Sequence, residues 1–454
     1  MSAMDSTFDR TAPPPVGPAP TVELPRVIRH RLSNGLDVVL VEKHDLPVVD
    51  LRVVVRTGAA ADLPVRAGRA SLTADMLDEG TRGYDALTLA DAIDHLGAEL
   101  DTSVSWDASL ASLHVLRPRL EPALELLAEV LVHPTFPENE LERVRAERLA
   151  GFMRRLQEPR FLALKTFSSE LYGTEHPYGA PVSGTKESIE SLDREALVAF
   201  YREHYRPDNA FLVVVGDVEP KSLFTLLERT LEEWTPAPGA AVTLPEPPPA
   251  EPTTIYLVDK PGAPQSEIRI GHPSVPRSTP DYFPLLVLNT MLGGSFTSRL
   301  NLRLREERGY TYGARSGFDF RRGPGPFVAA SSVFTGATDS ALAIFLEEIH
   351  RIRDEPAPEP EIERARGYLA FGLPRRFETT VDIARTLSEI ELYGLGDDYL
   401  ARFVERIRAV SVEDVQRAAQ RHLDPDHMGL VVVGDRAEVE EPLRRLGLGP
   451  VVVK

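Results

Sequence analysis

Ser71 and Asp75 stand four residues apart in the stretch GRASLTADMLDEGT, Gly68 to Thr81. On a helix, residues at that spacing share one face, which is how a helix offers two side chains to one atom. Their chemistry is limited. A serine hydroxyl is a poor zinc ligand beside imidazole, and a nucleophilic Ser71 needs a histidine base that nothing in the sequence nominates. The plainer reading makes Ser71 an early-turn polar residue, and Asp75 a solvated charge or the partner of a nearby arginine. Neither H-x-x-E-H nor H-E-x-x-H occurs in the chain, and there is no cysteine. Disulfides, thiolate nucleophiles and Cys-based zinc sites are therefore excluded.

Other residues that could do chemistry carry weaker signals. His176, His204 and His422 lie outside any ligand spacing and read as capping or packing histidines. Gly293 and Gly294 permit a tight turn and close backbone approach; no G-K-[ST] follows to make them a phosphate loop. The VVVGD strand ends resemble a nucleotide fold, yet no G-x-G-x-x-G follows either copy. With 51 basic and 69 acidic residues the formal charge is −18, which argues against binding a nucleic-acid backbone through bulk electrostatics. No signal peptide or membrane anchor is legible, so a cytoplasmic location is expected, with an exported one left open. Residues 1–26 read as a disordered Pro-rich tail.

The elements that must position these residues come in two copies. PDNAFLVVVGD at Pro207–Asp217 returns as PDHMGLVVVGD at Pro425–Asp435, and His204 stands opposite His422 in the same register. A period this long is a domain duplication. Pro236–Pro252 is too proline-dense for helix or central strand and reads as a semi-rigid linker. It separates residues 27–235 from 253–454. In each half, β-branched strands precede runs of helical pattern, including Arg69–Asp78 and a long helix from Glu138 to about Leu156. The fold class is α+β, two homologous halves, each a mixed or antiparallel sheet covered by helices on one face. The segment 339–370 reads as a solvated amphipathic surface broken by a Pro-rich turn.

Several ordered landmarks carry a resemblance. They are the G-x-A…M-L-x-x-G-T frame around Gly68–Thr81, LYGTEHPYGAPVSGT (Leu171–Thr185), YRPDNAFLVVVGD, and MLGGSFTSRLNLRLREERGYTYGARS (Met291–Ser316). From about residue 27 onward the chain resembles the pitrilysin/insulinase family of zinc metallopeptidases, including the mitochondrial processing peptidase. The family's inverted zinc motif falls on this frame. The resemblance puts the first histidine at Ser71, the general base at Ala74, the second histidine at Asp75 and the third ligand, a glutamate, at Gly151. It implies that this chain holds no metal of its own and activates no water.

The resemblance also implies an Arg/Tyr pair, seven residues apart, which falls on Arg305 and Tyr312, with Tyr310 as the rival tyrosine. A phenol there can donate to a developing oxyanion, and a guanidinium can hold a neighbouring peptide carbonyl. Taken alone, Arg305 could cap a helix and Tyr312 could be a strand aromatic. Some family members divide these parts between two chains. The expectation is a zinc-free subunit that pairs with an H-x-x-E-H subunit, zinc being in that partner, around an unfolded peptide substrate. A homodimer is left open for the case in which the partner is absent. The alternative is a non-enzymatic peptide-binding or scaffold protein, like the core subunits of the respiratory ubiquinol–cytochrome c reductase.

Overall fold

In this computed structural model, which describes residues 25–239 and 242–454, the β-branched runs form two six-stranded sheets. The Pro-rich tail lies almost wholly outside the described residues. The first sheet holds β1 (Val27–Arg31), β2 (Asp37–Glu42), β3 (Val48–Val55), β4 (Glu99–Val104), β5 (Ser109–Leu116) and β6 (Ala210–Gly216), in the order β1-β2-β6-β3-β5-β4. The second holds β7 (Thr254–Asp259), β8 (Gln265–Pro273), β9 (Ala314–Phe318), β10 (Pro326–Phe334), β11 (Gly429–Gly434) and β12 (Val451–Val453), in the order β12-β7-β11-β8-β10-β9.

Five strands of each sheet correspond in order and direction. β2 runs parallel to β6 as β7 does to β11, and the remaining three pairings are antiparallel in both. Only the outermost strand differs: β1 comes from the N-terminal side and pairs antiparallel, whereas β12 comes from the C-terminal side and pairs parallel.

Alternation along the strands sends apolar residues to both faces, so each sheet has two surfaces to cover. On one face of the first sheet Val38, Leu40, Val53, Leu212 and Val214 pack with Leu72, Leu124, Leu197 and Phe200 of that half's own helices. On the other, Val39, Val41, Phe211, Val213 and Val215 meet Ile383, Ala384 and Leu387, from the Thr380–Tyr393 helix of the second half. The first half reciprocates: its Pro159–Tyr172 helix lays Ala163, Phe167 and Leu171 against Val431 and Val433 of β11. The expected one-sided covering is thus incomplete. β6 is buried along its whole length, and an uncovered second face would leave half of its valines in water.

The described residues of Pro236–Pro252 contain no helix or strand. His176 ties this stretch down, its Nε2 lying 3.1 Å from the Pro245 carbonyl oxygen while its Nδ1 accepts from the Tyr178 amide. His204 meets the Phe200 ring edge-on, a packing role, and His422 pairs with Asp281 at 2.7 Å. The reading of residues 339–370 as a solvated surface needs correction at Glu348, which is fully buried on the Thr338–Asp354 helix. Its carboxylate accepts from Arg303 at 2.6 Å, and a paired charge can go where a lone one cannot. No described helix is long and apolar enough to cross a membrane.

Candidate functional site

The helix bearing Ser71 is short, Arg69–Asp75, and ends three residues before the sequence pattern suggests, as Met76 and Leu77 turn into the core. Its start is fixed twice. Gly68 adopts φ +88°, and a Cβ there would stand 2.8 Å from the Gly184 Cα, so only glycine fits both the conformation and the approach. Asp62 then receives the Ala70 amide at 3.1 Å and Arg69 Nε at 3.3 Å. Burial pushes the Asp62 carboxyl up to about 6, against the pull of Arg69 and the Ala70 amide. At the far end Thr102 Oγ1, on the outermost strand β4, donates to the Ala74 carbonyl at 2.9 Å.

Ser71 and Asp75 share the partly exposed face, as their spacing predicts, whereas Ala74 is fully buried between them. What faces the pair is Arg148, from the Glu138–Arg155 helix. Its Nη2 donates to Asp75 Oδ2 at 2.5 Å and to Ser71 Oγ at 2.8 Å, and its Nε to the same Oδ2 at 2.9 Å. Gly151 lies three residues further along that helix, on the same face, with no side chain to contribute.

This donor set does not fit Zn²⁺. Zinc takes lone pairs from thiolate, imidazole or carboxylate; here one carboxylate and one hydroxyl are already engaged by a guanidinium, which has no lone pair to give. Elsewhere among the described residues, Glu42, His44 and Glu219 bring ligand atoms within 4.8 Å of one another. They are exposed surface side chains, and His44 Nδ1 is held by Asp217 at 2.6 Å.

Arg305 and Tyr312 lie in the second half. Residues Leu302–Glu307 form a π-helical turn, and Gly309 at φ +64° reverses the chain after it. Tyr310 is fixed there: its amide donates to the Leu304 carbonyl, its carbonyl accepts from Phe334, and its ring packs on the second-half core. Tyr312, two residues on and just before β9, is 93% exposed. The Arg305 guanidinium lies over the Phe296 ring at 4.3 Å, on the loop that follows the Gly293–Gly294 pair. A Cβ on Gly293 would meet the Ser316 amide nitrogen at 2.4 Å, which explains the glycine by backbone approach. Among the described residues no hydrogen bond joins Arg305 or Tyr312 to Ser71, Asp75 or Arg148. The sequence reading misses Arg148 and Asp62. Arg148 is one of several arginines on its helix, and only its place one turn before Gly151 hints at its direction.

A duplicated α+β scaffold whose halves cover each other's sheets, with an arginine held between Ser71 and Asp75, is the architecture to be placed among known proteins. Residues 37–176 match insulinase (peptidase family M16), and residues 191–369 match the peptidase M16 inactive domain. The crystal structure of a peptidase M16 inactive domain from Pseudomonas fluorescens is 30% identical and superposes with a TM-score of 0.83 over 90% of this chain and 98% of that one. The chain belongs to the peptidase M16 family. It is 27% identical to an uncharacterised zinc protease of Mycobacterium leprae, over 92% of this chain and 94% of that protein. It is 22% identical to a Helicobacter pylori protein named as a non-peptidase homolog, over 88% and 92% of the two chains. A protease structure from Helicobacter pylori, 20% identical, shares the fold with a TM-score of 0.81 over 90% of this chain and all of that one.

Proposed function

We propose that this chain is the zinc-free subunit of a two-chain metallopeptidase. Its partner is a homologous subunit that carries H-x-x-E-H, the zinc and the general base, and Arg305 and Tyr312 complete that partner's site. Ser71, Ala74, Asp75 and Gly151 are the altered zinc-motif positions. The substrate is an unfolded peptide that pairs in part with a strand edge; the outermost strands β4 and β9 offer such edges.

The observation that carries this reading is Tyr312. Its side chain is 93% exposed while the neighbouring Tyr310 is packed away. A phenol left in solvent just before a strand is free to donate to an acceptor from outside the chain. The name of the Helicobacter pylori relative favours a second reading, a peptide-binding or scaffold protein without catalysis.

Purification of the tagged protein from its native host separates the two. A co-purifying H-x-x-E-H homologue, about one zinc per pair, and activity absent from either chain alone establish the split site. The protein recovered alone or as a homodimer, zinc-free and inert, rejects it. Within an active complex, Arg305→Ala or Tyr312→Phe lowers kcat on the order of 10²-fold; unchanged activity transfers the case to the scaffold reading.

A further inference from the structure

We propose that the Arg148 guanidinium is an internal cation standing in for a metal ion, tying the Arg69–Asp75 helix to the Glu138–Arg155 helix and barring metal from the crevice between them. This rests on the reading of residues 71, 75 and 151 as altered ligand positions.

Arg148 reaches the two positions that share the helix face, Ser71 and Asp75, and joins them through one nitrogen, Nη2. A metal ion does the same with two ligands at that spacing. The Arg148 side chain is 13% exposed and Asp75 is 43% exposed, so the guanidinium lies beneath the carboxylate rather than in solvent. Arg145 Nη1 donates to the Ile189 carbonyl and Arg155 to Ser183 Oγ, and among the described residues Asp75 is the one carboxylate that Arg148 engages. Asp78 stands close enough to feel the charges of Asp75, Glu79 and Asp101, but of these four only Asp75 pairs with Arg148. A divalent cation entering between Ser71 and Asp75 would meet a carboxylate already shared and a fixed positive charge. Restoring ligands alone therefore does not restore a metal site.

The test uses the full chain in three forms. One is native. The second carries Ser71→His, Asp75→His and Gly151→Glu with Arg148 retained; the third adds Arg148→Ala. Zinc per chain after dialysis and the zinc-dependent change in Tm are measured, with circular dichroism as the check on folding. The expected result is about one zinc per chain and a Tm raised by zinc in the third form only. Equal zinc uptake by the second and third forms overturns the proposal, and so does no uptake by either, because Arg148 would then not be what excludes the metal. Should the ligand variants fail to fold, Arg148→Met in the native chain decides: amide exchange at Leu72–Leu77 accelerates and Tm falls, whereas unchanged exchange and Tm overturn the proposal. These readouts need no partner subunit. Absence of a zinc-bearing partner in the co-purification leaves them interpretable, and equal zinc uptake leaves the catalytic partnership standing.

Discussion

In the first half, Arg148 bridges the crevice between the helix leading into Met76–Leu77 and the long Glu138–Arg155 helix, and a cavity of about 830 Å³ opens beyond it beside Asp78, Glu79, Glu140 and Arg143. In the second half, the matching crevice lies beside Met291 and Leu292, against the Glu359–Gly372 helix. It is an open cavity of about 680 Å³, with the exposed Tyr368 and Phe371 on its wall. The second half has its own bidentate pair, Arg299 with Glu361 at 2.8 Å, with the acid on the long helix and the arginine on the separate short Arg299–Asn301 helix. The same sheet order is therefore compatible with two different placements of arginine and acid. The Ser71–Arg148–Asp75 linkage is a property of its site and not a requirement of the fold.

That comparison depends on the halves being one cooperative body, which the exchanged helices allow to be broken directly. Phe167→Ala removes a ring from the second sheet's back face and costs about 3–5 kcal/mol; Leu387→Ala does the same to the first sheet for about 2–5 kcal/mol. Denaturant unfolding followed by circular dichroism is expected to show one transition in each variant. Two separated transitions would mean that the halves are independent.

A somewhat smaller effect separates the halves by pH. Asp62 has a folded value of about 6 against an unfolded value of 3.8, so between those limits the native chain holds the extra proton. Stability then falls as pH rises through the window and levels above it, by about 3 kcal/mol at most. Asp78, whose carboxyl burial also pushes up to about 6, titrates in the same window, so Asp62→Asn is expected to reduce that slope in thermal melts between pH 4 and pH 6 without abolishing it; an unchanged slope would place the titration elsewhere.

The least effect is expected on the second half's exposed surface, where Tyr312→Phe and Tyr368→Ala change stability by within about 0.5 kcal/mol. A larger loss at Tyr312, read by thermal melting, would make it a structural side chain and weaken its case as a donor for another chain.

The legible parts of the molecule were those written in local pattern. The repeated PD…VVVGD segments became the central strands β6 and β11, and the frame that opens at Gly68 located the helix carrying Ser71 and Asp75. Pairings across long stretches of sequence were not legible. Arg148 meets Asp75 across 73 residues, and only its place one turn before Gly151 sets it apart in sequence from Arg143 or Arg145 on the same helix. The exchanged helices were invisible for a related reason. The Thr380–Tyr393 pattern announces an apolar face but not which sheet receives it. Glu348 reads as surface because a lone glutamate in a helix belongs there, and only Arg303, 45 residues earlier, makes it a core residue.

The helix exchange also bears on why the two halves persist together. Phe167 and Leu171 belong to the first half yet complete the hydrophobic cover over β11 of the second, where Arg305 and Tyr312 reside. Deleting the first half would uncover that sheet. Selection on the second half therefore maintains the first, whatever the first does on its own account.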